Sequence, residues 1–290
     1  MQKKVFNKDV RIILFDIDGT LIKAGGAGMR ALNAAIVDMG GKSDVCRYFE
    51  LQGETDRVNF ENAFFYAFGR KPSKKEFKKI SSLYIKHLPG EIERSLKEGK
   101  YIKIKGVDSF LTVLSKKENI FIGLATGNLR EGAYIKLGPS NLSCYFLFGG
   151  FGGQDVKREK MLLKAVKSAS KITNCDIKPH QVYVIGDTEK DIIAAKNCGF
   201  HSACVLDGFG SYEKIIKAGP ELIENDFSNL KVWLMWLGIE RDPKGVKRGT
   251  YIFPDTPIEH AYCKTTATGI FIDEKDFEKA IDVIREKKKV

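Results

Sequence analysis

The chain has 290 residues, 43% hydrophobic and 29% charged, a balance that excludes disorder and collagen-like fibre and suits one large α/β domain with an insertion or two modest domains. Its net charge of +11 favours anionic partners without separating nucleic acid from small phosphates, and its six scattered cysteines, with no Cys-x-x-Cys pair, read as reduced thiols rather than a zinc site or a disulfide framework. No apolar run approaches the ~20 residues of a membrane span, and the Met1–Lys4 segment leads into a short apolar stretch ending in acid, so a signal peptide is not expected and a cytoplasmic address is.

Val10–Phe15 is a short, continuously apolar run that reads as a strand buried on both faces, followed by Asp16-Ile17-Asp18-Gly19-Thr20. From about residue 22 to 105 the pattern is helical, with aromatic Phe60, Phe64, Phe65, Tyr66 and Phe68 expected in its core. Between Arg70 and Lys105 twelve basic residues face four acidic ones, a net +8 that reads as a solvated helical surface or as a funnel for an anionic substrate.

Strand and helix then alternate. A helix is expected over Val107–Lys117, a strand over Asn119–Ala125 ending in Thr126-Gly127-Asn128, and a weaker strand over Cys144–Phe148 before Gly149–Gly153. A helix over Lys160–Ala169 precedes a strand over Gln181–Ile185 that ends in Gly186-Asp187. A helix over Asp191–Asn197 stops at Gly199, and a last strand covers Ser202–Leu206.

This order predicts an α/β fold: a doubly wound, Rossmann-like parallel sheet (residues 1–21 and 106–230) with an inserted helical cap (22–105). Residues 231–290 form a C-terminal extension. In it Lys231–Leu237 reads as a Trp-bearing helix packed on the core, Arg241–Gly249 as a linker, Gly269–Ile272 as a strand and Asp276–Lys289 as a helix. His260 and Cys263 lack the neighbours a metal site needs.

Four polar motifs each follow a predicted strand or open a helix, and ligands in open parallel sheets bind at the carboxyl edge where these meet. Asp16 and Asp18, two residues apart, can face one site as nucleophile and acid/base. Thr126-Gly127-Asn128 offers a hydroxyl and backbone N–H groups to phosphate oxygens, although the tripeptide is also an ordinary turn. Lys157, Arg158 and Lys160 supply a cation at a helix start. Asp187 with Asp16 makes a hard oxygen site suited to Mg²⁺, and Asp191, one helical turn on, can hold a metal-bound water or the basic residue. Gly25-Gly26-Ala27-Gly28 reads as a hinge, since no Gly-Lys-Ser/Thr follows.

Phe15-Asp16-Ile17-Asp18-Gly19-Thr20-Leu21, Thr126 and Gly186-Asp187 with Asp191 resemble the motifs of the haloacid dehalogenase-like hydrolase superfamily. Gly53-Glu54-Thr55-Asp56-Arg57 and Gly150-Phe151-Gly152-Gly153-Gln154-Asp155 are similar to stretches of its phosphoglycolate phosphatase-like branch, and the likeness covers roughly residues 10–230. The third motif of that family is a Lys followed by Pro. Here it is absent, and Arg158 is assigned the role by position, with Lys157 and Lys160 as rivals.

The resemblance implies a Mg²⁺-dependent phosphomonoester hydrolase of small metabolites, phosphoglycolate-like or sugar phosphates, with Asp16 as nucleophile and Asp18 as acid/base. Thr126, Gly127, Asn128, Thr20 and Arg158 would serve the phosphate, and Thr55, Asp56 and Arg57 in the cap would choose the substrate. Mg²⁺ would be held by Asp16, the Asp18 carbonyl and Asp187, with Asp191 beside it. A sugar-phosphate mutase, a phosphonate hydrolase with a cap lysine, or a non-catalytic anion- or nucleic-acid-binding protein are the alternatives. A monomer or homodimer without nucleic-acid or membrane partners is expected.

Overall fold

A computed structural model describes residues 10–146, 148–153 and 157–240. Gln154 and Asp155, and the linker, strand, helix, His260 and Cys263 expected after residue 240, lie outside the described residues.

The first strand, β1 (Arg11–Phe15), ends at the Asp-x-Asp motif, and β2 (Ile22–Ala24) leads out of the sheet. Three helices follow: α1 (Ala27–Asp38), α2 (Asp56–Phe68) and α3 (Lys74–Lys97). Thr55 caps the N-terminus of α2, and Gly69 ends it at φ 71°, a conformation that costs a Cβ-bearing residue strain. Ser73 and Glu76 form a capping box at the start of α3, which buries Ile80, Tyr84, Leu88 and Ile92, one residue per turn. Of the aromatic cluster, Phe60 and Phe64 are buried, Phe60 with its ring 5.0 Å from that of Tyr84. Phe65 and Tyr66 fall on the opposite face and are about half exposed. The chain returns through β3 (Tyr101–Lys103), antiparallel to β2, so two neighbouring strands carry the helical insertion.

The remaining elements are α4 (Val107–Ser115), β4 (Ile120–Thr126), α5 (Arg130–Leu137), β5 (Gly149–Phe151), α6 (Arg158–Thr173), β6 (Val182–Gly186), α7 (Glu189–Asn197), β7 (His201–Val205), α8 (Tyr212–Ala218), β8 (Leu222–Glu224) and α9 (Leu230–Trp236). The six-stranded sheet has the order β5-β4-β1-β6-β7-β8, and every pairing is parallel. In β1 the period-2 alternation sends Ile13 and Phe15 into one cluster with Phe110 and Trp233, and Ile12 and Leu14 into another with Leu162 and Val184. A strand covered on both faces is why this run is unbroken by polar residues.

One expectation changes. The weak strand is not Cys144–Phe148: Ser143–Tyr145 is a 3₁₀ turn, and the strand is the glycine-rich Gly149–Phe151. Here α6 lies so close that a Cβ on Gly150 would sit 1.8 Å from the Met161 carbonyl oxygen, so glycine stands where side-chain propensity would predict a turn. The Trp-bearing helix expected over Lys231–Leu237 is present as α9 and packs on the core. Trp233 of α9 is fully buried against Phe110 and Phe227 and donates from Nε1 to the Asp226 carbonyl at 3.0 Å.

Candidate active site

The carboxyl ends of β1, β4 and β6 and the first turn of α6 meet at one edge of the sheet. The Asp16 backbone N–H donates to the Ile185 carbonyl at 3.0 Å, which extends the β1–β6 ladder one residue and sets the carboxyl at the strand end. Asp16 is buried. Loss of solvent pushes its carboxyl up to about 6, against the pull of Arg158 and with the push of Asp191 and Asp18. Gly19 turns the chain at φ 85°, and a Cβ there would lie 2.1 Å from an Asp187 oxygen. Thr126, fully buried, accepts from Asn128 Nδ2 at 2.7 Å.

Arg158 decides the electrostatics. Its side chain is buried, with Nη2 donating to Asp16 Oδ2 at 3.1 Å and to Asp191 Oδ1, and Nη1 donating to the Gly53 carbonyl at 2.8 Å. Asp191 in turn completes the capping box of α7, accepting at Oδ2 from the Thr188 N–H at 3.2 Å and hydroxyl at 2.8 Å. Lys157 and Lys160 are exposed. Asp187, almost wholly buried, accepts from the Phe209 N–H at 2.8 Å and from the Thr20 hydroxyl at 3.3 Å; burial, then Asp191 and Asp16, hold its carboxyl well above the usual range.

A second cation was not legible as a site residue. Lys136 of α5 is buried and donates to Asp18 Oδ2 and to Asn128 Oδ1, both at 2.6 Å. Burial opposes its charge, but Asp18, with Tyr84 and Asp56, raises its pKa and keeps the ammonium protonated. The signal was present in the helix itself. Lys136 lies on the buried stripe with Ala133 and Leu137, where a lysine has no reason to be unless it is paired.

Above these groups sits the 51–56 loop of the insertion. The Asp56 N–H donates to the Gly127 carbonyl at 2.7 Å, and the Asp56 carboxyl accepts from the Leu129 N–H at 2.7 Å. Lys190 Nζ reaches the Gln52 carbonyl at 3.0 Å and Glu54 Oε1 at 2.8 Å. Beneath the loop is a cavity of about 360 Å³, walled by Asp16, Asp18, Asp56, Asn128, Lys136 and Arg158 among others.

The sequence profile of the haloacid dehalogenase-like hydrolases matches residues 13–205. The chain belongs to this family. It is 25% identical over 234 residues to the phosphoglycolate phosphatase of Photorhabdus laumondii, covering 79% of this chain and 94% of that protein. Among solved structures, CbbY from Rhodobacter sphaeroides in complex with phosphate has a TM-score of 0.60 at 19% identity, covering 76% of this chain and 96% of the other. A hydrolase from Pseudomonas syringae has a TM-score of 0.58 at 20% identity, covering 78% and 98%.

In this haloacid dehalogenase-like chain, the expected residues Asp16, Asp18, Gly127, Asn128, Asp56 and Arg158 line one cavity, and Thr126 packs directly behind it. Three others point elsewhere. Thr20 holds Asp187 instead of facing the cavity, Thr55 spends its hydroxyl on the Val58 N–H as the cap of α2, and Arg57 pairs with Glu61 over the Phe77 ring. Asp16, Asp187 and Asp191 each place an oxygen within 4.8 Å of the others. Three buried carboxylates against the single guanidinium of Arg158 leave an excess of negative charge that a hard divalent cation fits. Asp191 would be the poorest ligand of the three, since both its oxygens already accept hydrogen bonds. Among the described residues no helix is long and apolar enough to cross a membrane.

Proposed function

We propose that this hydrolase is a divalent-metal-dependent phosphatase that releases phosphate from a small phosphomonoester of phosphoglycolate or sugar-phosphate type. The observation that carries this reading is the pairing of Asp16, buried at the end of β1, with Arg158 at 3.1 Å and Lys136 across the same small cavity. Two buried cations flank this cavity, Arg158 between Asp16 and Asp191 and Lys136 on Asp18, so a phosphoryl group entering it meets a guanidinium and an ammonium held in place by carboxylates.

In this reading Asp16 attacks phosphorus and the P–O bond to the leaving alcohol breaks, leaving an aspartyl-phosphate that water then cleaves. Asp18 hands the leaving oxygen its proton and recovers one from the water. Lys136 donates to Asp18 Oδ2, so the proton in transit sits on the other oxygen, Oδ1. Arg158, the Thr126 hydroxyl and the Gly127–Asn128 backbone hold phosphate oxygens. Mg²⁺ held by Asp16, the Asp18 carbonyl and Asp187 would neutralise charge on the transferring group. The cavity of about 360 Å³ sits at the small end of ligand sites, which supports a small metabolite. Among its described wall residues the lysine is Lys136, from α5 and not from the insertion, which disfavours a phosphonate hydrolase that needs a cap lysine.

The test is phosphate release from a panel of small phosphorylated metabolites and phosphonates, with Mg²⁺ or with EDTA, using the wild type and Asp16→Asn. Release that disappears in the variant and with EDTA is expected. Release that persists in Asp16→Asn would overturn the nucleophile assignment.

A further inference from the structure

The insertion's share of the catalytic cavity wall includes Glu54, Asp56 and Asn59 beside the apolar Leu32, Leu51 and Phe60. Among the described lining residues that it contributes, none is cationic. Both cations of the sheet domain are already held, Arg158 by Asp16 and Asp191 and Lys136 by Asp18 at 2.6 Å. Glu54 is paired with Lys190 at 2.8 Å. Asp56 accepts the Leu129 N–H at 2.7 Å, a bond that fixes its carboxyl without neutralising it. A carboxylate or second phosphate on the leaving group would lose its water beside Asp56, with no free cation among the described wall residues to meet it.

Asn59 lies one turn beyond Asp56 on the buried stripe of α2, which continues with Phe60, Ala63 and Phe64. Its Nδ2 donates to the Leu51 carbonyl at 3.3 Å, and that acceptor fixes which way round the amide sits. Oδ1 is buried and has no partner among the described residues, while the side chain, 8% exposed, lines the cavity. A buried acceptor without a donor is costly, and a ligand hydroxyl at this wall supplies one. The apolar Leu32, Leu51 and Phe60 around it suit the C–H face of a polyol better than a hydrated ammonium. We infer that the leaving group is uncharged and hydroxylated, a sugar or polyol and not a glycolate, and that Asn59 selects it by accepting a hydrogen bond from one of its hydroxyls. The inference rests on the phosphatase reading, which seats the phosphate at Arg158 and turns the rest of the ester toward the insertion. An analogue without the hydroxyl leaves the Asn59 acceptor buried and unpaired, and a carboxylate meets the charge of Asp56.

Two readouts keep the inference and the reading apart. Phosphate release by the wild type with Mg²⁺ reports hydrolysis, and calorimetric titration of full-length Asp16→Asn reports binding with the nucleophile removed. The ligands are ribose 5-phosphate, glycerol 1-phosphate, propyl phosphate, 3-aminopropyl phosphate and phosphoglycolate. A hydroxylated ester is expected to bind about tenfold or more tighter than propyl phosphate and phosphoglycolate. Added to Asp16→Asn, Asn59→Leu should remove about tenfold of the advantage over propyl phosphate. Asp56→Asn, which keeps an acceptor for Leu129, should tighten phosphoglycolate about tenfold. Should Asn59→Leu not fold, the order of the five ligands and the Asp56→Asn gain still decide. Phosphoglycolate or propyl phosphate binding as tightly as the hydroxylated esters, or 3-aminopropyl phosphate binding tightest, overturns the inference. Asn59→Leu weakening propyl phosphate as much as the hydroxylated ester overturns the role of Asn59. Binding in the expected order, with no phosphate released from any ester, would refute the hydrolase reading alone.

Discussion

Asp56 carries a cost that can be measured. Its carboxyl is buried, accepts the Leu129 N–H at 2.7 Å, and is pushed from 3.8 up to about 6, chiefly by loss of solvent and in spite of the Lys136 charge. A carboxyl with a raised folded-state pKa binds its proton more tightly folded than unfolded. Stability is therefore highest below the unfolded value and declines as pH rises through the folded one. A displacement of about two pKa units at 1.36 kcal/mol each makes the ionised group cost about 3 kcal/mol at neutral pH. Asp56→Asn keeps an acceptor for Leu129 and removes the charge. The variant should unfold at a temperature several degrees above wild type at pH 7.5, on the scale of 2–4 °C per kcal/mol for a chain of this size. The gap should close between about pH 6 and pH 4, because the wild-type group is then protonated in both states. Thermal unfolding of the two proteins in parallel from pH 4 to 8 measures it. A constant difference across that range, or a variant less stable at pH 7.5, would refute the burial argument.

Lys136→Met should lower kcat/KM about 100-fold or more, because Asp18 and Asn128 lose the ammonium bonded to both. The melting temperature should also fall, by several degrees or more, since Asp18 and the buried Asp56 are left without the cation that compensates them; steady-state kinetics below the unfolding range beside thermal unfolding checks both, and wild-type kcat/KM would remove Lys136 from the site. Gly127→Ala places a Cβ 2.5 Å from the Glu54 carbonyl oxygen and 3.1 Å from Thr55 Cα, so the 51–56 loop must lift. KM for the phosphoester should rise about tenfold with a smaller change in kcat, and an unchanged KM would show that the loop does not cover the bound substrate.

The amino-acid order alone determined the sheet and the residues at its edge. Unbroken apolar runs such as Ile12–Phe15 can only be strands covered on both faces, and the polar residues ending them must converge once those strands lie parallel. Asp16, Asp18, Thr126 and Asp187 end such runs and so stand at that edge. Which cation of Lys157, Arg158 and Lys160 turns inward was not legible, because the choice depends on the phase of α6 against β5, where Gly150 lets the helix approach the strand's backbone. Lys136 escaped for a related reason. A lysine on an apolar stripe is recognisable as unusual, but its partners Asp18 and Asn128 lie 118 and 8 residues away, and only packing brings them within 2.6 Å. Thr55 and Arg57 show the converse: their residue types suit a binding loop, yet the start of α2 claims the hydroxyl as its cap and the Glu61 side chain one turn on claims the guanidinium. Local sequence decides which groups a segment offers; tertiary structure decides which of them are left unspent by their neighbours and face the cavity.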